Sequence, residues 1–242
     1  MPGDLGFVLV HGGFHRAACW DGLLPLLDGP AVAVDLPGRG DRRAAGGATL
    51  EQFVTSVVTA VDSAPFSGVV LVGHSLAGIV VPEVARRRPD RVGHLVFVSA
   101  TIPAEGRSAF STVPWFIRPL PYWSGKRRRA TDPPPAVSRW LFANDLDEAA
   151  TEQLVAQLSP ESAAVGLEPI SRRGLSPAIG RTYVCLSRDR AMPPRRQRRQ
   201  IANLGPPCQV VTLDSGHDPF YSRPAELAGV LNQTMRLVRP SQ

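Results

Sequence analysis

The sequence has few of the features that mark secreted, membrane-spanning or metal-binding proteins. Its 242 residues include only three cysteines, which are widely separated, and 7% aromatic residues. An odd number of thiols without metal-ligand spacing argues against a disulfide framework or a metal site. It predicts that the protein is located in the reducing cytoplasm. No apolar run approaches the ~20 residues of a membrane span. The first residues also lack a signal peptide's basic-then-apolar order. We therefore expect a globular cytoplasmic protein that does not bind membranes.

Lysine is also nearly missing, since Lys126 is the one lysine among 27 basic residues, against 21 acidic residues and a net charge of +6. Arginine-rich runs lie at 86–88, 126–129 and 195–199. Such runs attract nucleic acid, an acidic carrier protein or an anionic substrate, but they also fit a solvated surface. Stacking aromatic residues do not interleave them, apart from Trp123. We expect no nucleic-acid partner and leave a carrier protein, an anionic substrate and the oligomeric state open.

Short apolar runs rich in β-branched residues alternate with helical patterns along most of the chain. These runs are apolar almost throughout, as expected for strands covered by helices on both faces. One helix has a capping box, with Thr49 at its N-cap and Gln52 three residues later. The alternation predicts an α/β fold with a mostly parallel, doubly wound sheet. The predicted strands are 6–10, 31–35, 69–73, 94–99, 182–186 and 209–213.

The alternation stops between residues 101 and 180, where prolines are frequent and no core strand is evident. Two helical patterns lie there, at about 135–143 and 146–158. The stretch is too long for a simple loop. We therefore predict one α/β core, residues 1–100 and 181–242, with 101–180 inserted as a helical lid.

Ser75 lies where the third predicted strand gives way to a helix. Gly73 precedes it by two residues, and Ala77 follows it by two, so small side chains flank a sharp turn. Such a turn lifts a serine hydroxyl above the strand end and exposes it for nucleophilic attack. The G-x-S-x-A pattern alone is weak, and Ser75 could simply cap a helix. Its position between strand and helix favours a nucleophile.

Glycines after the first strand predict a second part of the same site. The backbone N–H groups of Gly13 and Leu76 can form a two-donor oxyanion hole, although the glycines also fit a tight turn. Phe14, His15 and His74 are expected to line the pocket. Trp115 and Trp123 of the predicted lid are also expected there, which favours an apolar substrate.

A serine nucleophile needs a histidine base, and a carboxylate must orient that histidine. His217 follows the last strand and so should lie at the same sheet edge as Ser75. Asp189 follows the penultimate strand and is the favoured acid. Asp214 and Asp218 are the alternatives, although a near neighbour of His217 rarely reaches its far ring nitrogen.

These motifs together resemble the α/β-hydrolase superfamily. Within it, the chain resembles the small esterases and hydroxynitrile lyases, a branch that includes the plant methyl-ester esterases. The resemblance implies that Ser75, Asp189 and His217 form the triad, that Gly13 and Leu76 supply the oxyanion hole, and that no metal or organic cofactor is needed. The stretch after His217 lacks the lysine of the lyase members.

Three hypotheses about function follow. The leading one is a carboxylesterase or thioesterase that cleaves a small to medium, largely apolar ester through an acyl-enzyme on Ser75. The second is a biosynthetic lyase or cyclase in which the same site carries out elimination or ring formation. The third is a receptor that binds a small ligand without turnover, which an intact triad disfavours.

Overall fold

The computed structural model describes residues 5–113 and 130–238 of the chain. The strands are β1 (Leu5–Val10), β2 (Ala31–Val34), β3 (Gly68–His74), β4 (Val92–Val98), β5 (Ala130–Thr131), β6 (Glu161–Ser162), β7 (Gly180–Leu186) and β8 (Gln209–Leu213). Six of them form one sheet in the order β2-β1-β3-β4-β7-β8, and every neighbouring pair is parallel. The α/β class with a mostly parallel sheet is confirmed, and each predicted core strand agrees with an observed one to within two residues.

Helices cover both faces of this sheet. They are α1 (Arg42–Gly47), α2 (Leu50–Ser63), α3 (Val81–Arg87), α4 (Pro135–Phe142), α5 (Glu148–Gln157), α6 (Pro194–Leu204), α7 (Pro219–Ser222) and α8 (Pro224–Val238). One core cluster packs α2 and α3 against the sheet, and a second packs α8 against the other face. None of the helices within the described residues combines the length and apolar character that a bilayer-spanning helix needs.

Helix α2 shows how the sequence determines this packing. The Thr49 side chain accepts a hydrogen bond from the Gln52 backbone N–H, and the Gln52 side chain accepts one from the Thr49 N–H. This reciprocal cap fixes where the helix begins. Phe53, Val57 and Val61 then recur at helical spacing, and each is completely buried. A fully buried side chain of this size contributes about 1.5–3 kcal/mol.

The chain between β4 and β7 carries α4, α5 and a small antiparallel pair of strands, β5 and β6. Both helices were predicted, whereas these strands were not. Each has two residues, which is too short to show an alternating pattern. Trp115 and Trp123, predicted in the pocket, lie outside the described residues. The division of the chain into a core and a lid stays a prediction.

The sheet brings four distant loops to one edge. Because parallel strands share a carboxyl edge, the loops after β1, β3, β7 and β8 emerge side by side. Gly13 follows β1, Ser75 follows β3, Asp189 follows β7 and His217 follows β8. The topology therefore places the predicted reactive residues together at one edge of the sheet.

Candidate active site

The turn that carries Ser75 is strained and tightly packed. Ser75 has a φ of 49°, in the left-handed region that L side chains rarely adopt. A Cβ atom on Gly73 would lie 2.9 Å from a methyl group of Val81, and one on Gly78 would lie 2.5 Å from the Thr101 carbonyl oxygen. The Thr101 N–H also donates to the Ser75 carbonyl oxygen at 2.8 Å. Small residues are therefore required around Ser75, and the turn holds its hydroxyl at the sheet edge.

Ser75, His217 and Asp189 are connected by two hydrogen bonds. His217 Nε2 lies 3.1 Å from Ser75 Oγ, and His217 Nδ1 lies 2.7 Å from Asp189 Oδ2. A carboxylate only accepts, so Nδ1–H donates to Asp189 and Nε2 is left to accept the serine proton. The His217 and Asp189 side chains are 2% and 0% exposed. The arrangement is that of a nucleophile, a base and an orienting acid.

Two further groups hold the Asp189 carboxylate. Ser99 Oγ donates to Oδ2 at 2.6 Å, and the Met192 N–H donates to Oδ1 at 2.7 Å. Ser99 follows β4, next to β7 in the sheet, and has a φ of 41°. No sequence motif marks Ser99. Its place at the end of the strand beside Asp189 is the only signal that would have indicated it.

The alternative acids bind elsewhere. Asp214 is exposed, accepts a hydrogen bond from Ser187 Oγ at 2.7 Å and pairs with Arg188 at 3.0 Å. Asp218 points away from the His217 ring and towards His15. The structure thus brings Asp189, and neither alternative, to His217 Nδ1.

The charges around His217 favour the protonated form of its ring. Burial disfavours the cationic ring, but the Asp189 carboxylate, by its charge and its hydrogen bond, and the charge of Asp218 together raise the pKa of His217 above its ordinary value. Such a base holds a proton more firmly once it takes one from Ser75. His74, in contrast, has a pKa well below its ordinary value, mainly because it is buried.

The loop after β1 closes over the nucleophile from the other side. A Cβ atom on Gly12 would lie 2.8 Å from Ser75 Cβ, so only glycine fits there. Phe14 has a φ of 66°, which turns the backbone sharply after Gly13. A Cβ atom on Gly13 would lie 3.4 Å from Leu76 Cδ2, so the two predicted oxyanion residues are adjacent beside Ser75.

A cavity of about 640 Å³ opens onto Ser75 and His217. Phe14, predicted in the pocket, lines it. His15 and His74, also predicted there, are buried behind the cavity and are not among its lining residues. The side chains around the cavity are mainly apolar and include Leu76, Val113, Leu141, Phe142, Leu167 and Met192.

The chain between β4 and β7 contacts the site at three points. The Phe142 ring stacks on the His217 ring with centroids 5.5 Å apart. Asp145 Oδ2 accepts a hydrogen bond from the Gly216 N–H at 2.6 Å, next to the base. Glu161, which lines the cavity, pairs with Arg39 at 2.6 Å. These contacts fix one wall of the cavity.

Behind the cavity lies a buried polar cluster of His15, His74 and Asp218. His15 Nε2 is 3.0 Å from Asp218 Oδ2, and His74 Nε2 is 3.6 Å from Asp218 Oδ1. Ligand atoms of these three residues lie within 4.8 Å of one another, a spacing that is compatible with a metal site. However, His74 Nε2 already donates to the His217 carbonyl oxygen at 3.0 Å. The cluster is built from internal hydrogen bonds that join the loops around Ser75.

Comparison with known proteins identifies one protein family. A family model described as alpha/beta hydrolase matches residues 7–230. A pyrethroid hydrolase of Sphingobium wenxiniae is 26% identical, with 91% of this chain and 84% of the relative covered. A carbendazim hydrolyzing esterase of a Nocardioides species is 27% identical, with 92% and 96% covered. Arabidopsis thaliana methylesterase 1 is 26% identical, with 92% of each chain covered.

Solved structures show the same fold. An extracellular alpha/beta-hydrolase of a Paenibacillus species, described as sharing structural and functional homology with tobacco salicylic acid binding protein 2, superimposes with a TM-score of 0.84 at 25% identity. The match covers 95% of this chain and 98% of that one. The pyrethroid hydrolase PytH superimposes with a TM-score of 0.76 at 22% identity, with 96% and 98% covered.

Proposed function

The chain belongs to the alpha/beta hydrolase family and is an esterase-type hydrolase, and from this premise we propose that Ser75, His217 and Asp189 are its catalytic triad. The observation that carries the proposal is the pair of hydrogen bonds from Ser75 through His217 to Asp189, at 3.1 and 2.7 Å. The names of the relatives, which are esterases and hydrolases, support ester cleavage.

The reaction begins when Ser75 Oγ attacks the ester carbonyl carbon while His217 Nε2 takes the hydroxyl proton. The Gly13 and Leu76 N–H groups stabilise the tetrahedral oxyanion. His217 then gives its proton to the leaving alcohol or thiol as the bond to the acyl carbon breaks. Water attacks the acyl-enzyme and loses a proton to His217, which passes it to Ser75 Oγ as the acyl–oxygen bond breaks and the acid leaves. Asp189 keeps the Nδ1–H tautomer in place throughout.

The substrate of this proposal is a small to medium, largely apolar ester or thioester. The cavity of about 640 Å³ and its apolar side chains, such as Phe14 and Phe142, support that class. Residues 101–180 serve as the lid in this reading, because Phe142, Asp145 and Glu161 all contact the site from above the sheet edge. The free thiols in the structure are consistent with the cytoplasm as the compartment.

The lyase or cyclase hypothesis is not favoured. The first relatives are named as hydrolases and esterases, and Asp218 occupies the position after His217, in a stretch where the lyase members carry a lysine. The receptor reading has no support from a site in which all three triad groups are in hydrogen-bond contact.

Labelling with a fluorophosphonate probe tests the triad. We expect the probe to modify Ser75 and to block hydrolysis of a short 4-nitrophenyl ester. The Ser75→Ala variant should lose both labelling and turnover. A matched control is Ser187→Ala, which removes a serine hydroxyl that is bonded to Asp214 instead of the triad. Turnover that persists in Ser75→Ala, or labelling only at another serine, contradicts the proposal.

A further inference from the structure

A second groove adjoins the cavity above Ser75. It measures about 590 Å³ and lies between α6 and the 3-10 turn at Ala109–Thr112. The two spaces have Thr112, Val113 and Arg196 as common lining residues. An extended substrate can therefore place its reacting carbonyl at Ser75 and its far end in the second groove.

Three arginines line this second groove, namely Arg107, Arg196 and Arg199, and we call it the arginine groove. Within residues 5–113 and 130–238, none of the three forms an ion pair, whereas arginines elsewhere pair with acids, as Arg88 does with Asp62 at 2.6 Å. The stretch 114–129, which follows Val113 in the chain, contains no aspartate or glutamate in its sequence. No ion pair among the described residues therefore neutralises these arginines, although the charge of Asp189 partly offsets the effect of burial on the pKa of Arg196.

Arg196 is the residue that connects the groove to the site. Its side chain is half-buried, and its Nη1 donates to the Ala191 carbonyl oxygen at 3.1 Å. Its Nε is buried and has no hydrogen-bond partner among the residues that the structure describes. Burial lowers the pKa of Arg196, which shows that its charge is poorly solvated. A partly desolvated guanidinium with one neutral partner is stabilised by an anion that supplies the missing acceptors.

The acidic residues nearby are already engaged. Glu105, next to Ala104 of the groove, accepts hydrogen bonds from the Ser171 side chain and from the Arg172 N–H. Glu161 and Asp132 line the Ser75 cavity and are not among the residues that line the groove. Glu161 is paired with Arg39. The described residues that line the groove thus include three arginines and no carboxylate.

We propose that the arginine groove binds an anionic oxyacid group, a carboxylate or a phosphate, at the far end of the substrate. The inference rests on the proposed function and narrows its substrate class to esters or thioesters with an apolar middle and an anionic tail. Guanidinium groups bind both oxyacids through two parallel N–H···O bonds, which gives orientation as well as affinity. Binding of such a tail in the groove would fix the position of the ester carbonyl relative to Ser75.

Turnover of matched esters tests the inference. The probes are 4-nitrophenyl esters of dicarboxylic acids of increasing length, with the second carboxyl free, and the same compounds capped as neutral carboxamides. We expect one length to show a kcat/KM about tenfold or more above its neutral partner. The Arg107→Gln/Arg199→Gln double variant should lose that preference. The matched control is Arg198→Gln, which removes an exposed arginine on α6 outside the groove.

Binding to the Ser75→Ala variant separates this inference from the proposed function. In calorimetry we expect the free-carboxylate ester, or a parallel ester ending in a phosphate group, to bind about tenfold or more tightly than its neutral partner. The Arg107→Gln/Arg199→Gln replacement, combined with Ser75→Ala, should abolish this difference in affinity. Equal binding of all charged and neutral probes overturns the anionic subsite, whatever the turnover. Charge-dependent binding without hydrolysis of any ester by the unmodified enzyme overturns the esterase proposal and supports the subsite.

Discussion

His15 Nε2 and Asp218 Oδ2 lie 3.0 Å apart behind the proposed triad. His15 Nδ1 lies 2.8 Å from the Gly13 carbonyl oxygen, which only accepts, so Nδ1 carries a proton. The pair ties the loop of Gly13 to the loop of His217, so the proposed oxyanion hole and base are mechanically linked.

Replacing Asp218 should separate its structural and electrostatic roles. Asp218→Ala leaves His15 Nε2 buried without a partner, so we expect a loss of about 1–3 kcal/mol in the free energy of unfolding and a lower kcat/KM. Asp218→Asn can still contact His15 but carries no charge. Since the Asp218 charge raises the pKa of His217, the asparagine variant should shift the pH profile of kcat/KM to lower pH. Urea unfolding and pH-rate profiles measure the two effects, and identical behaviour of both variants contradicts this separation.

The strands, and the proximity of Ser75, His217 and Asp189, could be predicted because each has a local signature. An apolar run followed by Gly73 and Ser75 specifies strand and turn, and a parallel topology then forces His217 and Asp189 to the same edge. No distance between them had to be known. The confirmed strand positions therefore carried most of the information about the site.

Contacts between distant segments could not be predicted in the same way. His15 was expected in the pocket, but its ring turns inward, where its Nε2 contacts Asp218, 203 residues away in the chain. Ser99 has no sequence motif, and its contact with Asp189 depends on the neighbouring positions of β4 and β7. Such contacts depend on packing across the sheet, and a single sequence shows no pattern for them.

The pH dependence of turnover should report the raised pKa of His217. Only the neutral ring can take the Ser75 proton, so kcat/KM should rise with pH as His217 loses its proton. Because the Asp189 carboxylate opposes that loss, the midpoint should lie above the ordinary histidine pKa of about 6.5. Asp189→Asn should lower both the midpoint and kcat, the latter on the order of 10⁴-fold. A midpoint at or below the ordinary value would show that Asp189 does not act on the base.

The ion pair of Arg39 and Glu161 should be the strongest charge interaction between β6 and the rest of the fold. The side chains are 2% and 6% exposed and 2.6 Å apart, and Arg39 Nη1 also donates to the Pro160 carbonyl oxygen. Removal of one member leaves an uncompensated buried charge, which costs about 3–5 kcal/mol. The Phe14 N–H donates to the same Glu161 oxygen at 3.4 Å, so the pair also supports the loop of Gly13.

A double-mutant cycle measures this coupling. Arg39→Met and Glu161→Gln should each lower the free energy of unfolding in urea, whereas the double variant should lose clearly less than the two losses added together, because no unpaired charge remains buried. The Arg236→Met variant is the control, since its pair with Asp28 is largely exposed and its loss should change stability little. Strictly additive losses would mean that the two charges do not stabilise each other, and the pair would then not be what holds β6 against the loop of Gly13.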